Sequence, residues 1–507
     1  MASPLNLDNI QGDILSGLPK KGEIFFFFQI NKDLLQDFCT GVGQLAHHVT
    51  SVTQCEDDRQ KIVKEKERAA LHDTTPKLLE LSGINIAFSH KGLKALGIRD
   101  PIGDDVFVKG MVADADGEDR DVDGEGEPSK YLNDDLSQWE PEFRDEEIHG
   151  VILITGSSHP KLKETLSKVK SIFKVGRNGA SITEVTHVEG HVRPGDVAGH
   201  EHFGFADGIA QPAVDGVPTL VHRGTDTIHQ GIILVGRPGD ALRESRPSWA
   251  LDGSFLVFRK LKQKVPEFQK FLDVEGPKNR LTPDLLGAKL VGRWKNGAPV
   301  ENFPLEPASE DDKANFKAAA KDSSQNDNFR YQQNVKQKNC PYAAHTRKTN
   351  PRDDFPFNID AHQEHRIIRR GIQYVSKSCP FHQSVRYFRD VPSHPLKAPT
   401  QIIKANLIMP LGMDLKLLTK RLRLQQAHQI SSSSVAFFSS ATRATSQKGS
   451  PSFKNSGQTT QGSPTKPELI LKLHVLASTP SLALLISISR SQVAKWSASM
   501  QKTKGSH

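Results

Sequence analysis

Cysteine is scarce in this 507-residue chain: there are only four, Cys39, Cys55, Cys340 and Cys379, with no paired spacing between them. No Asn-x-Ser/Thr acceptor occurs either, so nothing argues for an oxidising compartment, and disulfides are not the organising device. Long apolar runs are absent too. None reaches the roughly 18 residues a membrane span needs, and Met1 to Asp8 lacks the charged start and apolar core of a secretory signal. As written, the chain is expected to stay inside the cell, with no membrane partner. The formal charge of +8 invites a nucleic-acid reading, but lysine and arginine concentrate in the C-terminal third among serines, without interleaved aromatics. That pattern lacks the footprint of a nucleic-acid surface, and no such partner is expected. The length suggests two or three domains, and a hydrophobic content of 36% is enough to build buried cores.

What is there begins with Glu23 to Ile30, an aromatic and β-branched run bounded by Gly22 and Asn31, which reads as a strand buried on both faces. Leu34 to Leu81 has helical spacing and heavy charge. Ile84 to Ser89 is a second strand, His90 to Leu96 a short helix, Glu147 to Thr155 a third strand, Pro160 to Phe173 an amphipathic helix and Ile182 to Val192 a fourth strand. Without strict βαβ alternation, this order favours an α+β sheet with helices on one face. An acidic insert, Asp119-x-Asp121-x-Asp123-Gly124, copies the start of a calcium loop, but Lys130 stands where the bidentate Glu belongs, so a solvated loop is expected. Further on, Gln230 to Gly236 and Gly253 to Arg259 read as strands, with helices at Pro266 to Leu272 and Thr282 to Val291. Two similar halves are the economical architecture, and Ala308 to Lys338 reads as a polar surface excursion.

Three stretches carry chemistry. In Glu201 to Pro212, one carboxylate, Asp207, sits among apolar and glycine neighbours. Gly204 and Gly208 permit close backbone approach to a bulky ligand, while Phe203, Phe205 and Ile209 would make a dry wall that raises the Asp207 pKa and suits it to shuttle a proton. A tight turn whose Asp bonds its own backbone is the bland alternative. In Asn339 to Arg352, His345 follows small residues and precedes a cationic cluster. Neutral imidazole is a standard axial ligand for haem iron, and Arg347, Lys348 and Arg352 are candidates to meet propionates, though a lone histidine is more often structural. His365 to Tyr374 reads as a strand driving arginine into an apolar setting, where charge must be paired, or else as an ordinary surface ion pair.

Together these motifs resemble the dye-decolourising peroxidase family, in particular its fungal members. Gly204-Phe205-Ala206-Asp207-Gly208 matches its Gly-x-x-Asp-Gly signature, His345 sits where the proximal haem ligand is expected, and Arg369 matches the first arginine of its Arg-Arg-Gly segment. Asn9 to Leu15 also looks like its N-terminus. The resemblance implies two ferredoxin-like halves in a dimeric α+β barrel arrangement, residues 1–195 and 196–374, with haem b held mainly by the second. It also implies a haem peroxidase that reduces hydrogen peroxide while oxidising dyes, phenols or other aromatics in one-electron steps. Asp207 would move the peroxide proton, Arg369 would stabilise charge as the O–O bond breaks, with Arg370 its close competitor, and His345 would be the iron ligand. Arg347, Arg352, Gly204, Phe205 and Gly208 would contact the cofactor. Trp249, Trp294 or a tyrosine would relay electrons. The alternatives are a haem-binding protein without efficient turnover and a non-functional product of a misread gene. Related fungal enzymes are often extracellular, and oligomeric state is left open.

After Tyr374 the resemblance stops. Residues 375–507 turn Ser-, Lys- and Leu-rich, and no strand is expected where the family has one lining its haem. Back-translating Ser434 to Leu471 and shifting the frame permits strings that look like the family's missing end, and Val375-Ser376 can be encoded as an intron's opening. The expectation is a retained intron followed by out-of-frame sequence, loosely attached to the rest. Leu469 to Ser489 is apolar, with competing helix and strand signals.

Overall fold

The computed structural model describes residues 4–112, 136–217, 224–331, 337–354, 363–364, 366–374 and 477–487. Asp119 to Lys130 therefore lies outside the described residues. One compact unit comprises residues 1–373 with 435–507; Tyr374 opens a second, 374–434, of which it is the described part.

The sheet grows outward from β1 (Gly22–Ile30), and the alternation of its side chains explains why. After the short buried helix α1 (Gly12–Leu15), Ile24, Phe26, Phe28 and Ile30 enter one core with Phe38 and Val42 of α2 (Leu35–Ala46) and with Leu162 and Val169 of α5 (His159–Ile172). Phe25 and Phe27 point the other way, against Phe143, Leu256 and Phe258. Each such phenylalanine contributes about 1.5–3 kcal/mol by leaving water, so this strand is a large share of what holds both faces together. β1 is flanked by β3 (Gly150–Gly156) and β4 (Ile182–His191), and β2 (Ser82–Phe88) pairs the far side of β3, all antiparallel. The resulting order β4-β1-β3-β2 is that of a complete ferredoxin-like half. Its connections are α3 (Val52–Leu71), opened by a Ser51/Gln54 capping box, and the short α4 (His90–Ala95). The fold is α+β with an antiparallel sheet, as expected. The described cysteines, Cys39, Cys55 and Cys340, are buried thiols rather than disulfide halves.

The second half departs from its sequence reading in three places. Gln230 to Gly236, expected as a strand, is a 3₁₀ turn over Gln230–Ile232 followed by reversals at Gly236 and Gly239, whose φ values are 76° and 99°. A continuous apolar run suits a buried turn as well as a strand, and Ile233, Leu234 and Val235 are buried without a ladder. Nearby, β5 (Ala213–Val214) and β6 (Thr227–Ile228) form a short parallel pairing. From there β7 (Ser254–Gln263), α6 (Val265–Lys278) and α7 (Pro283–Val291) follow as expected. The stretch Ala308 to Lys338, read as a surface excursion, is the second departure: it holds a helix, α8 (Glu310–Lys321), and within it Asn326 and Asp327 are buried. Third, residues 366–374 form no strand.

The tail contributes more than its composition suggests. β8 (Ala477–Ser487) pairs β7 from Ala477↔Gln263 to Ser487↔Ser254 and meets β2 at Ala87 and Phe88, giving the order β4-β1-β3-β2-β8-β7. The expectation of no strand there is thereby corrected. An apolar segment with ambiguous local preference takes the state that two open edges offer, because unpaired ladder groups on β2 and β7 gain partners.

Candidate functional site

The Gly204 to Pro212 loop and the His345 segment are brought to one turn, residues 292–300, that follows α7. Gly292 ends that helix at φ 91°, and a Cβ there would sit 1.9 Å from the Thr346 hydroxyl. Only glycine therefore lets the short helix α9 (His345–Thr349) lie against the end of α7. At the other end of the turn, the Lys295 carbonyl accepts the Ala206 N–H at 2.8 Å. A Cβ on Gly297 would meet Ile209 Cδ1 at 2.6 Å. The turn thus seats Thr346 at one end and the Asp207 loop at the other.

Within that loop Gly204 (φ 99°) and Gly208 (φ 77°) reverse the backbone. Glu201 shapes what lies between. Its half-buried carboxylate accepts the N–H groups of Phe203 and Phe205, both at 2.8 Å, and the Gln263 side-chain amide at 2.5 Å. Burial pushes the Glu201 pKa up despite those donors, and the nearby Asp207 charge adds to the rise. The dry wall foreseen around Asp207 is not formed by the two phenylalanines. Phe203 and Phe205 turn instead onto Phe268, with Phe205 among Leu272, Leu286 and Leu290 of α6 and α7. The Asp207 side chain is 43% exposed; its Oδ1 accepts the Gly208 N–H at 2.7 Å and lies 3.8 Å from Arg369 Nη1.

Arg369 is held as if in a sheet, by a side chain. The Gln211 amide accepts the Arg369 N–H at 3.0 Å and donates to its carbonyl at 2.7 Å. That replaces a strand partner and is the physical reason 366–374 needs no ladder of its own; near its end the Gln373 carbonyl takes the His191 N–H at 2.8 Å. The guanidinium of Arg369 donates to the Ala210 carbonyl at 2.9 Å, which points it along the Asp207 loop. Arg370 faces the opposite way: it donates to the Asp13 and Leu15 carbonyls at 2.8 and 2.5 Å, and its partial burial lowers its pKa. Of the two arginines, Arg369 is the one beside Asp207. The sequence around Gln211 gives no sign of this role in holding Arg369. The glutamine's partner lies 158 residues away, and no local signal reveals that.

Two of the cations offered to a cofactor are committed elsewhere. Arg347 is buried, forks onto Asp354 at 2.6 and 2.7 Å, donates to the Cys340 carbonyl at 2.6 Å, and lies between the Tyr331 and Tyr342 rings at 4.3 and 4.2 Å. Arg352, also buried, bonds the Asp327 carboxylate and the Asp327 and Gly224 carbonyls, the latter two at 2.8 and 3.1 Å. Asp327 also takes Arg293 at 3.0 Å, and burial lowers the Arg293 pKa to about 10. These arginines are thus tied by ion pairs to Asp354 and Asp327, on either side of the His345 segment in the sequence. His345 itself is half-buried at the first position of α9. Of the relay candidates, Trp294 donates its indole N–H to the Phe303 carbonyl at 2.8 Å, and Trp249 is buried in the main core.

Comparison with known proteins agrees with this geometry. Residues 9–194 match the DyP dimeric alpha+beta barrel domain. A dye-decolorizing peroxidase of Mycena epipterygia is 38% identical over 385 residues, covering 73% of this chain and 64% of that protein. The chain therefore spans less than two thirds of that relative's length. Among solved structures, an ancestral D-type dye decolorizing peroxidase superposes with a TM-score of 0.63 at 45% identity, covering 76% of this chain and 78% of that one. A dye-decolorizing peroxidase in complex with 2,6-dimethoxyphenol gives 0.60 at 37%, covering 75% and 78%. With a full antiparallel half, an Asp207–Arg369 pair and this similarity across three quarters of its length, the chain belongs to the dye-decolourising peroxidase family.

Proposed function

We propose that this chain is a haem peroxidase that reduces hydrogen peroxide and oxidises phenols, dyes or related aromatics. The observation that carries the reading is the exposed Asp207 carboxylate facing the Arg369 guanidinium at 3.8 Å. The family implies a haem, and the donor set suits one: His345 offers an imidazole at the start of α9, and the 292–300 turn backs the Thr346 beside it. Haem b held by His345 would supply the redox chemistry, in which peroxide is reduced to water and the aromatic reductant returns the electrons singly. Asp207 Oδ1 and Oδ2 would take a proton from one peroxide oxygen and deliver it to the other. Arg369, always charged, would stabilise the negative charge that develops between the two oxygens and orient the peroxide against Asp207. The loop glycines Gly204 and Gly208 keep that approach open. The 2,6-dimethoxyphenol seen on a structural neighbour supports a methoxyphenol as the reductant class here.

Reconstitution of the full chain with hemin tests this. A Soret band with peroxide-dependent bleaching of a dye is expected. A Soret band without bleaching would favour a haem-handling protein, a reading that the departure from the family after Tyr374 keeps in play. Absence of any haem uptake would overturn both.

A further inference from the structure

A second constellation lies on the first half, at the sheet edge formed by β4. Glu189 and His191 are two residues apart on that strand, so both side chains leave the same face. His159, the first residue of α5, meets them there. His191 Nε2 is 2.9 Å and His159 Nδ1 3.5 Å from the same oxygen, Glu189 Oε1. One ligand atom from each residue fits within a mutual separation of 4.8 Å. Donors bound tetrahedrally at the usual zinc distances stand roughly 3.3–3.6 Å apart, so the 3.5 Å separation falls within that range and the 2.9 Å one would open by a few tenths of an ångström.

The site is also oriented by its surroundings. Lys163 Nζ holds the other carboxylate oxygen, Glu189 Oε2, at 2.6 Å and leaves Oε1 to face the two imidazoles. The His191 ring lies on β1 where Gly22 has no side chain; a Cβ there would be 2.9 Å from His191 Nδ1, so the ring's other nitrogen is the one turned to Glu189. The three side chains are 35%, 22% and 42% exposed, so an ion could enter and keep water at its fourth position.

We propose that His159, Glu189 and His191 form a zinc-binding site that pins the start of α5 to the edge strand β4, separate from the Asp207–Arg369 centre. Two imidazoles and one carboxylate select Zn2+ over the hard cations Mg2+ and Ca2+, which prefer all-oxygen shells. The probes are Zn2+ by equilibrium dialysis and Co2+ by its visible absorption, on the full chain and on H159A/H191A and E189Q. At the same free zinc, the unmodified chain is expected to hold one ion more than the double variant. E189Q should weaken that ion by roughly tenfold or more, since losing a ligand costs more than losing an outer-shell partner. Tetrahedral Co2+ bands should appear in the unmodified chain, disappear in H159A/H191A and persist with excess Mg2+. Circular dichroism reports whether the variants are folded; E189Q retains the shape of the site and serves if the double variant is not. Equal zinc content and equal Co2+ spectra in the unmodified chain and either folded variant would overturn the proposal, as would the absence of Co2+ bands from the unmodified chain.

Discussion

Arg369 Nη1 stands 3.8 Å from Asp207 Oδ1, close enough to attract but long for a hydrogen bond, so neither group satisfies the other. Arg369 is steadied instead by the Ala210 carbonyl, and Asp207 by the Gly208 N–H. A pair held apart in this way can receive a small polar molecule between its members. In the haem-reconstituted protein, Asp207→Asn should slow the reaction with peroxide by roughly 10²–10⁴-fold, because only proton transfer is removed. Haem content should be unchanged. Arg369→Leu should cost about 10²–10³-fold through lost charge stabilisation. Stopped-flow kinetics at several peroxide concentrations checks both, and unchanged rates would remove the pair from the chemistry.

Gln211 makes a prediction that a purely structural glutamine would not. Its amide bonds both backbone groups of Arg369, so Gln211→Leu leaves an N–H and a carbonyl without partners, at about 1–3 kcal/mol for each if they stay dry. The variant should lose stability and also lower kcat more than it raises KM for peroxide. Gln211→Glu, which keeps the acceptor for the Arg369 N–H and loses the donor, should fall between. Lost stability with intact kcat would confine the residue to scaffolding.

Much of this fold is legible because apolar surface announces itself. Four consecutive phenylalanines bounded by Gly22 and Asn31 admit little but a doubly buried strand, and β1 is one. The site is legible in part: Asp207 and Arg369 do meet. The ion-pair partners of Arg347 and Arg352 are less legible, because a cation's partner cannot be read from its neighbours. Asp354 is close in sequence, but Asp327 lies 25 residues before Arg352. The Gln230 to Gly236 run misled because hydrophobicity without periodicity does not separate a strand from a buried turn. The pairing of β8 depends on edges of β2 and β7 more than two hundred residues earlier, which no local preference records.

Glu201 is the residue that sets the 203–205 backbone. A glutamine keeps one acceptor oxygen where the carboxylate uses two, so Glu201→Gln must leave either the Phe203 or the Phe205 N–H unpaired. Amide hydrogen exchange at those two positions should quicken in the variant while the β1 amides stay protected. Equal protection at both would show that the loop holds without the carboxylate.

His149 predicts a pH dependence of folding. It is buried, its Nδ1 accepts the Ile30 N–H at 2.9 Å, and burial lowers its pKa, with the Glu147 carboxylate 3.4 Å from Nε2 pulling the other way without offsetting it. The folded state thus keeps the ring neutral below the ordinary value of about 6.5, where the unfolded chain takes up a proton. The stability it contributes is complete above that value and is lost as pH falls toward the depressed folded-state pKa. Urea unfolding of the unmodified chain and of His149→Asn, which keeps an acceptor near Nδ1 but does not titrate, should diverge in slope between pH 7 and 5. Parallel curves would assign the acid sensitivity to other groups.

The last expectation concerns β8, whose ten-residue ladder with β7 covers an edge that would otherwise lie open. Ending the chain before Ala477 removes that cover and exposes the hydrogen-bonding groups of β7 together with those of Ala87 and Phe88 on β2. Both faces beside that gap are apolar, with Leu256 and Phe258 in one core and Phe255 in the other, so the open edge is a template for pairing with another chain. The truncated protein should therefore associate at micromolar concentration where the full chain does not, and lose stability cooperatively. A proline at Leu484, opposite Val257 in the ladder, should reproduce part of the effect by deleting one donor and distorting the strand. Light scattering and urea unfolding of both variants check this. A truncated chain that stays monomeric and equally stable would mean that residues 477–487 contribute nothing to the sheet.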